Sequence, residues 1–148
     1  MRNWSLLIIT LIAGLRVFPG CAPKHPWVTP DRLQRGLVIV LPGIEGRQSG
    51  LADNIAKGLD QGGVNLAIEI QDWTSGWGPL YNQRAEKRNR IKAEELAHRI
   101  RRYQIAYPDR PVLLIGQSGG GAIAIWASEA MRSEQTIKGI ILVNVALS

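Results

Sequence analysis

The amino-acid sequence predicts an α/β fold, a parallel sheet of about four strands with flanking helices. Three observations point there. From Leu37 onward, short apolar β-type runs alternate with longer stretches of helical periodicity, which is the order of βαβ units. The first run, Leu37-Val38-Ile39-Val40-Leu41, is apolar throughout, as strands covered on both faces of a parallel sheet are. The chain has 148 residues, 45% hydrophobic and 20% charged, with a mean hydropathy of -0.04. That is one globular domain or less, and it excludes a disordered tail, a coiled coil or a multi-domain machine.

Ahead of the core, residues 1–21 have a short basic start (Met1, Arg2), an apolar run over 6–15 and Gly20-Cys21, the layout of a secretory signal peptide. The apolar run is about ten residues, roughly half of what spans a bilayer, so a permanent transmembrane helix is the weaker reading. Val17-Phe18-Pro19-Gly20-Cys21 resembles the lipobox of bacterial lipoproteins, in which the cysteine becomes the lipidated first residue. Gly20 fits that pattern, whereas Arg16, Phe18 and Pro19 depart from it, so a cut nearby or an uncleaved anchor stands as the alternative to lipidation of Cys21. Either way the leader implies export to the cell envelope, periplasmic or membrane-anchored. Residues 22–36 follow as a tether, because Pro23, Pro26 and Pro30 oppose both helix and sheet ladder. His25 and Trp27 are then linker residues.

The core is expected over 37–148. After the first strand and Pro42-Gly43, Leu51, Ile55 and Leu59 with Ala52 and Ala56 form a one-sided helix that stops at Gly62-Gly63. Residues 64–70 read as the second strand and 71–79 as a loop. A long helix comes next, with Ala93, Leu96, Ala97, Ile100, Tyr103 and Tyr107 on one stripe. Its Arg99, Arg101 and Arg102 lie off the stripe as a solvated face, the alternative being an anionic-lipid or polysaccharide contact. Residues 111–115 are the third strand, 119–131 a nearly all-apolar helix and 137–145 the fourth strand. No internal repeat or low-complexity tract interrupts them.

The formal charge is +6, and leaving out Arg2 and Arg16 of the leader brings it to +4, which favours anionic surfaces without implying nucleic acid. Cys21 is the single cysteine, so the chain forms no internal disulfide and has no thiolate set for zinc or an iron–sulfur cluster. No metal or cofactor is expected, and any catalysis falls to ordinary side chains.

The chemistry-bearing motif is Gly116-Gln117-Ser118-Gly119-Gly120, a Gly-x-Ser-x-Gly placed between a strand and a helix. Such a turn lifts the serine hydroxyl above the sheet, and strand and helix approach so closely that the positions two before and two after must be nearly side-chain-free. Gly116 and Gly120 meet that need. The turn also sets Ser118 at a helix N-terminus, which favours developing negative charge. A dinucleotide phosphate loop over 116–121 is the alternative, against which stand the absence of a following Lys-Ser/Thr pair and of an acidic residue closing the next strand.

On these residues the chain resembles the α/β-hydrolase family. The resemblance implies an acyl-serine mechanism on esters, thioesters or amides, with Ser118 as nucleophile and an oxyanion hole from the N–H groups of Gly119 and Ile44, the latter in Leu41-Pro42-Gly43-Ile44-Glu45-Gly46. Pro42-Gly43 and Asp72-Trp73 are similar to lecithin:cholesterol acyltransferase-like lipases, with Thr74 where those carry arginine. Trp73 and Trp77 then either line an acyl pocket for a small-molecule or lipid-like ester or simply pack.

The family's triad runs Ser, Asp/Glu, His along the chain. After Ser118 the acids are Glu129 and Glu134, and no histidine follows. His98 projects about 140° from Ala93, off the core stripe, and His25 is on the tether. Asp109 leads into the third strand from the opposite sheet edge, and Asp72 is on the correct edge without a histidine to orient. The expectation is therefore a truncated first half of a hydrolase core, inactive or barely active as it stands. The rivals are a non-catalytic envelope binding protein that keeps the half-fold and a nucleotide-binding module built on 116–121.

Overall fold

The computed structural model describes residues 26–131 and 137–145. The leader, Cys21, His25 and Glu134 lie outside the described residues. Four strands form one parallel sheet: β1 (Leu37–Leu41), β2 (Ala67–Ile70), β3 (Val112–Gln117) and β4 (Gly139–Val143), in the spatial order β2-β1-β3-β4. Helices α2 (Leu51–Gln61), α4 (Glu86–Ala106) and α5 (Gly120–Glu129) make the connections, with the shorter α1 (Pro30–Leu33) and α3 (Pro79–Arg84) beside them. The fold class is α/β.

Alternation along β1 divides the core. Leu37, Ile39 and Leu41 face Leu96, Ile100 and Tyr103 of α4 and Ile123, Ala124 and Ala127 of α5, whereas Val38 and Val40 face Ala52 and Ala56 of α2. Two helical layers thus sandwich the sheet, and every side chain of β1 is buried. Among the described residues no helix is long and apolar enough to cross a membrane.

The boundaries differ from the sequence expectation where local chemistry outweighs the apolar run. Residues 64–66 stay out of the sheet because they close α2. With Gly63 at φ +84, its N–H donates to Asp60 O and the Val64 N–H to Leu59 O at 2.9 Å, the Schellman ending that claims those amides before a strand can. The expected long helix is two helices, since Ala85 at φ -80, ψ 56 leaves the helical region between α3 and α4. β3 runs two residues further than expected, with Gly116 paired to Leu41 and Gln117 to Val143.

Residues 26–36, read as tether, are folded onto the core. Pro30 is at the start of α1, where its missing N–H costs nothing, and Thr29 caps that turn. Arg32 pairs with Asp60 at 2.5 Å, the Tyr103 hydroxyl donates to Leu33 O, and Trp27 packs beside Ile68, whose N–H it accepts. The basic face of α4 is only partly free, because Arg99 reaches across to Glu69 of β2 at 2.6 Å.

Candidate active site

In this strand order the chain leaves β1 toward α2 on one face and leaves β3 toward α5 on the other. Between two such neighbouring strands a crevice opens at their carboxyl ends, the usual ligand position in open α/β sheets. Both segments singled out in the sequence end there, the loop 42–46 after β1 and Ser118 after β3.

Ser118 has φ +49, a left-handed backbone that costs a non-glycine residue roughly 1–2 kcal/mol. The strain is held by what surrounds it. Its N–H donates to Val143 O of β4 at 2.9 Å, and its carbonyl accepts from Gly121. A Cβ on Gly116 would lie 2.5 Å from the Gly121 Cα, and one on Gly120 would fall on the carbonyl oxygens of Leu41 and Pro42, 2.5 Å from the latter. Strand and helix therefore meet backbone to backbone on either side of the serine.

Gly119 brings the two segments together. A Cβ there would stand 2.7 Å from Ile44 Cγ2 and 3.3 Å from Trp73 Cζ2, so Ile44 and the Trp73 ring lie directly against the residue that follows the serine. Neither the Gly119 N–H nor the Ile44 N–H has a hydrogen-bond partner among the described residues. The groups around them are all engaged. Gln117 Oε1 accepts the Gly43 N–H at 2.6 Å, Trp73 Nε1 donates to Pro42 O at 2.7 Å, and Asn82 Nδ2 donates to Ile44 O at 2.9 Å. Three side chains from β3, the β2 loop and α3 thus fix three consecutive residues of the loop and leave the Ile44 N–H unengaged among the described residues.

Asn82 is itself fully buried: its Oδ1 accepts from the Ser75 N–H and hydroxyl, and its carbonyl accepts from Asn89 Nδ2 at 2.6 Å. Gln117, Asn82 and Asn89 were not singled out in the sequence. Gln117 occupies a variable place in the motif, and an inward asparagine leaves no apolar periodicity to read.

Asp72 works as a brace. Its carboxylate accepts from the Thr74 N–H and hydroxyl and from the Arg47 N–H. Partial burial pushes its pKa up, but those hydrogen bonds and the nearby Arg47 charge outweigh it, so the net shift is below the ordinary carboxylate value. The brace fits closely, since Gly46 at φ +67 has no room for a Cβ, which would sit 2.5 Å from Thr74 Oγ1.

The remaining candidates are scattered. Trp73 is 3% exposed and packed, while Trp77 is 83% exposed beside Tyr81, out in solvent. His98 is on the exposed face of α4. Asp109 lies in the turn entering β3, and Glu129 ends α5, about 15 Å of helix from the serine end. No side chain among the described residues hydrogen-bonds the Ser118 hydroxyl, and none of their His, Cys, Asp or Glu groups form a cluster fit for a metal ion.

In comparisons with known proteins, no family model matches the chain and no curated protein matches it.

Proposed function

We propose that this chain is a serine hydrolase of the α/β-hydrolase type and carries the nucleophile and oxyanion side of its acyl-transfer site. The observation that carries this reading is Ser118 at φ +49 between the side-chain-free approaches of Gly116 and Gly120, with the unengaged N–H groups of Gly119 and Ile44 beside it. Ser118 Oγ attacks the carbonyl carbon of an ester, thioester or amide, and the carbonyl π pair moves onto oxygen. The resulting oxyanion is stabilised by the two N–H groups and the positive end of α5. The serine proton passes to solvent water, since the described residues place no base within hydrogen-bond reach, and the step is correspondingly slow. The glycines of 116–121 speak against a phosphate loop, since the space beside Gly116, Gly119, Gly120 and Gly121 is filled by the protein's own atoms.

A fluorophosphonate probe tests the proposal: covalent labelling, slow for want of a base but confined to Ser118, is expected and lost in Ser118→Ala. An unlabelled chain that mononucleotides protect from thermal unfolding would transfer the assignment to nucleotide binding. An unlabelled chain that nucleotides do not protect would leave the binding-protein reading in its place.

A further inference from the structure

The loop that presents the Ile44 N–H is tied down from below by one side chain of the serine's own strand. Gln117 is 7% exposed, and its Oε1 takes the Gly43 N–H at 2.6 Å across 74 residues of sequence. A peptide amide in a glycine-bearing loop has two ready alternatives, a flip of the Pro42–Gly43 or the Gly43–Ile44 peptide, and the second of these would turn the Ile44 N–H away from the crevice. A hydrogen bond to the amide just before favours one orientation, because flipping it would leave a buried acceptor unpaired. Trp73 holds the carbonyl of that same Pro42–Gly43 peptide, and the Gly46 N–H donates to Gly43 O at 3.0 Å, so the facing of the Ile44 N–H is set by these bonds together, of which Gln117 supplies the one that comes from the serine's own strand. Gln117 directly precedes Ser118 along the chain, which couples the position of the nucleophile to that of the anion donor through a single side chain.

We infer that Gln117 is a positioning residue that pre-assembles the oxyanion hole by clamping Gly43, so that Ile44 N–H is aimed at the crevice before substrate arrives. This rests on Ser118 being an acyl-accepting nucleophile. Gln117 touches no substrate; it acts through Gly43 on Ile44. Losing an oxyanion donor outright costs on the order of 10²–10³ in rate, and loosening one costs less.

The test pairs a labelling rate with an amide spectrum on the full chain. Gln117→Met keeps the length of the side chain and removes the oxygen acceptor. It is expected to label with a fluorophosphonate about tenfold more slowly than wild type, a loosened rather than a deleted donor. In ¹⁵N–¹H spectra its Gly43 amide proton moves upfield, and its Ile44 amide no longer shifts when a boronic acid adds to Ser118, while the Gly119 amide still does. A role confined to stability would leave that Ile44 response intact. Gln117→Glu, which retains an acceptor at the same reach, keeps the Gly43 amide downfield and serves if the methionine variant does not fold. Labelling of Gln117→Met at the wild-type rate, or an unchanged Gly43 amide in it, overturns the inference and leaves the hydrolase reading standing. A wild type that does not label at Ser118 overturns both.

Discussion

β1 and β4 have nearly the same composition, Leu-Val-Ile-Val-Leu against Gly-Ile-Ile-Leu-Val, yet their environments are opposite. All five side chains of β1 are buried, whereas in β4 Ile141 is 52% and Leu142 39% exposed. β1 has hydrogen-bonded neighbours on both sides and β4, among the described residues, only β3. An apolar run therefore reports that a segment is extended and suited to burial. How many neighbours it has is set by topology, which composition does not record.

The largest expected effect tests that contrast directly. Ile39→Ala should destabilise by about 4 kcal/mol, a full cavity in a close-packed core, while Ile141→Ala should cost under about 1 kcal/mol. Equal shifts in urea midpoint would break the comparison. Next come two adjacent glycines that face the two strands. Gly120→Ala drives a methyl group into the backbone carbonyls that end β1 and should cost about 3 kcal/mol, whereas Gly121→Ala meets the Val145 side chain, which can move, and should cost about 1 kcal/mol. Thermal unfolding of the two variants side by side measures the difference. A smaller loss, about 1 kcal/mol, is expected for Asn82→Ala, which leaves the half-buried Ile44 and Ser75 groups without that partner. Its mark should be slower fluorophosphonate labelling as well as a lower melting temperature.

The smallest effect belongs to Asp72, at the end of the other outer strand. Because its folded pKa is below the ordinary value, the carboxylate stabilises the fold above that value and the contribution disappears as pH falls through the carboxylate range. Urea midpoints of wild type and Asp72→Asn should therefore differ at pH 7 and converge in acid, from roughly pH 4 downward. A gap that widened in acid would contradict the sign.

Much of this was legible in the sequence. The alternation of runs gave four parallel strands, and of the helical stripe Ala93, Leu96, Ala97, Ile100 and Tyr103 are buried, while Tyr107, at the helix end, is partly buried. The motif located the turn after β3, since its glycines are demanded by backbone sterics at short range. The clamp on the loop after β1 was not legible, because it depends on Gln117, Trp73 and Asn82 meeting Gly43, Pro42 and Ile44 across 31 to 74 residues. Hydrogen bonds between distant residues leave no period to count. The break at Ala85 was missed because alanine is a good helix former, and the folding-back of residues 26–36 because it rests on distant contacts such as Arg32 with Asp60 and Tyr103 with Leu33.

The bond from Ser118 N–H to Val143 O makes the serine turn depend on a strand that follows it along the chain. β1 leaves the ribosome early, but its central partner β3 begins 75 positions later, with Val112 opposite Leu37, and the strand that pins the serine turn comes later still. Contacts so distant along the chain are slow to close. Until β4 docks, the Ser118 N–H lacks the bond that helps hold its left-handed conformation, and until β3 is made the Gly43 N–H lacks its Gln117 acceptor. A nascent chain would therefore have α2 and β1 available well before the serine turn had all of its backbone bonds.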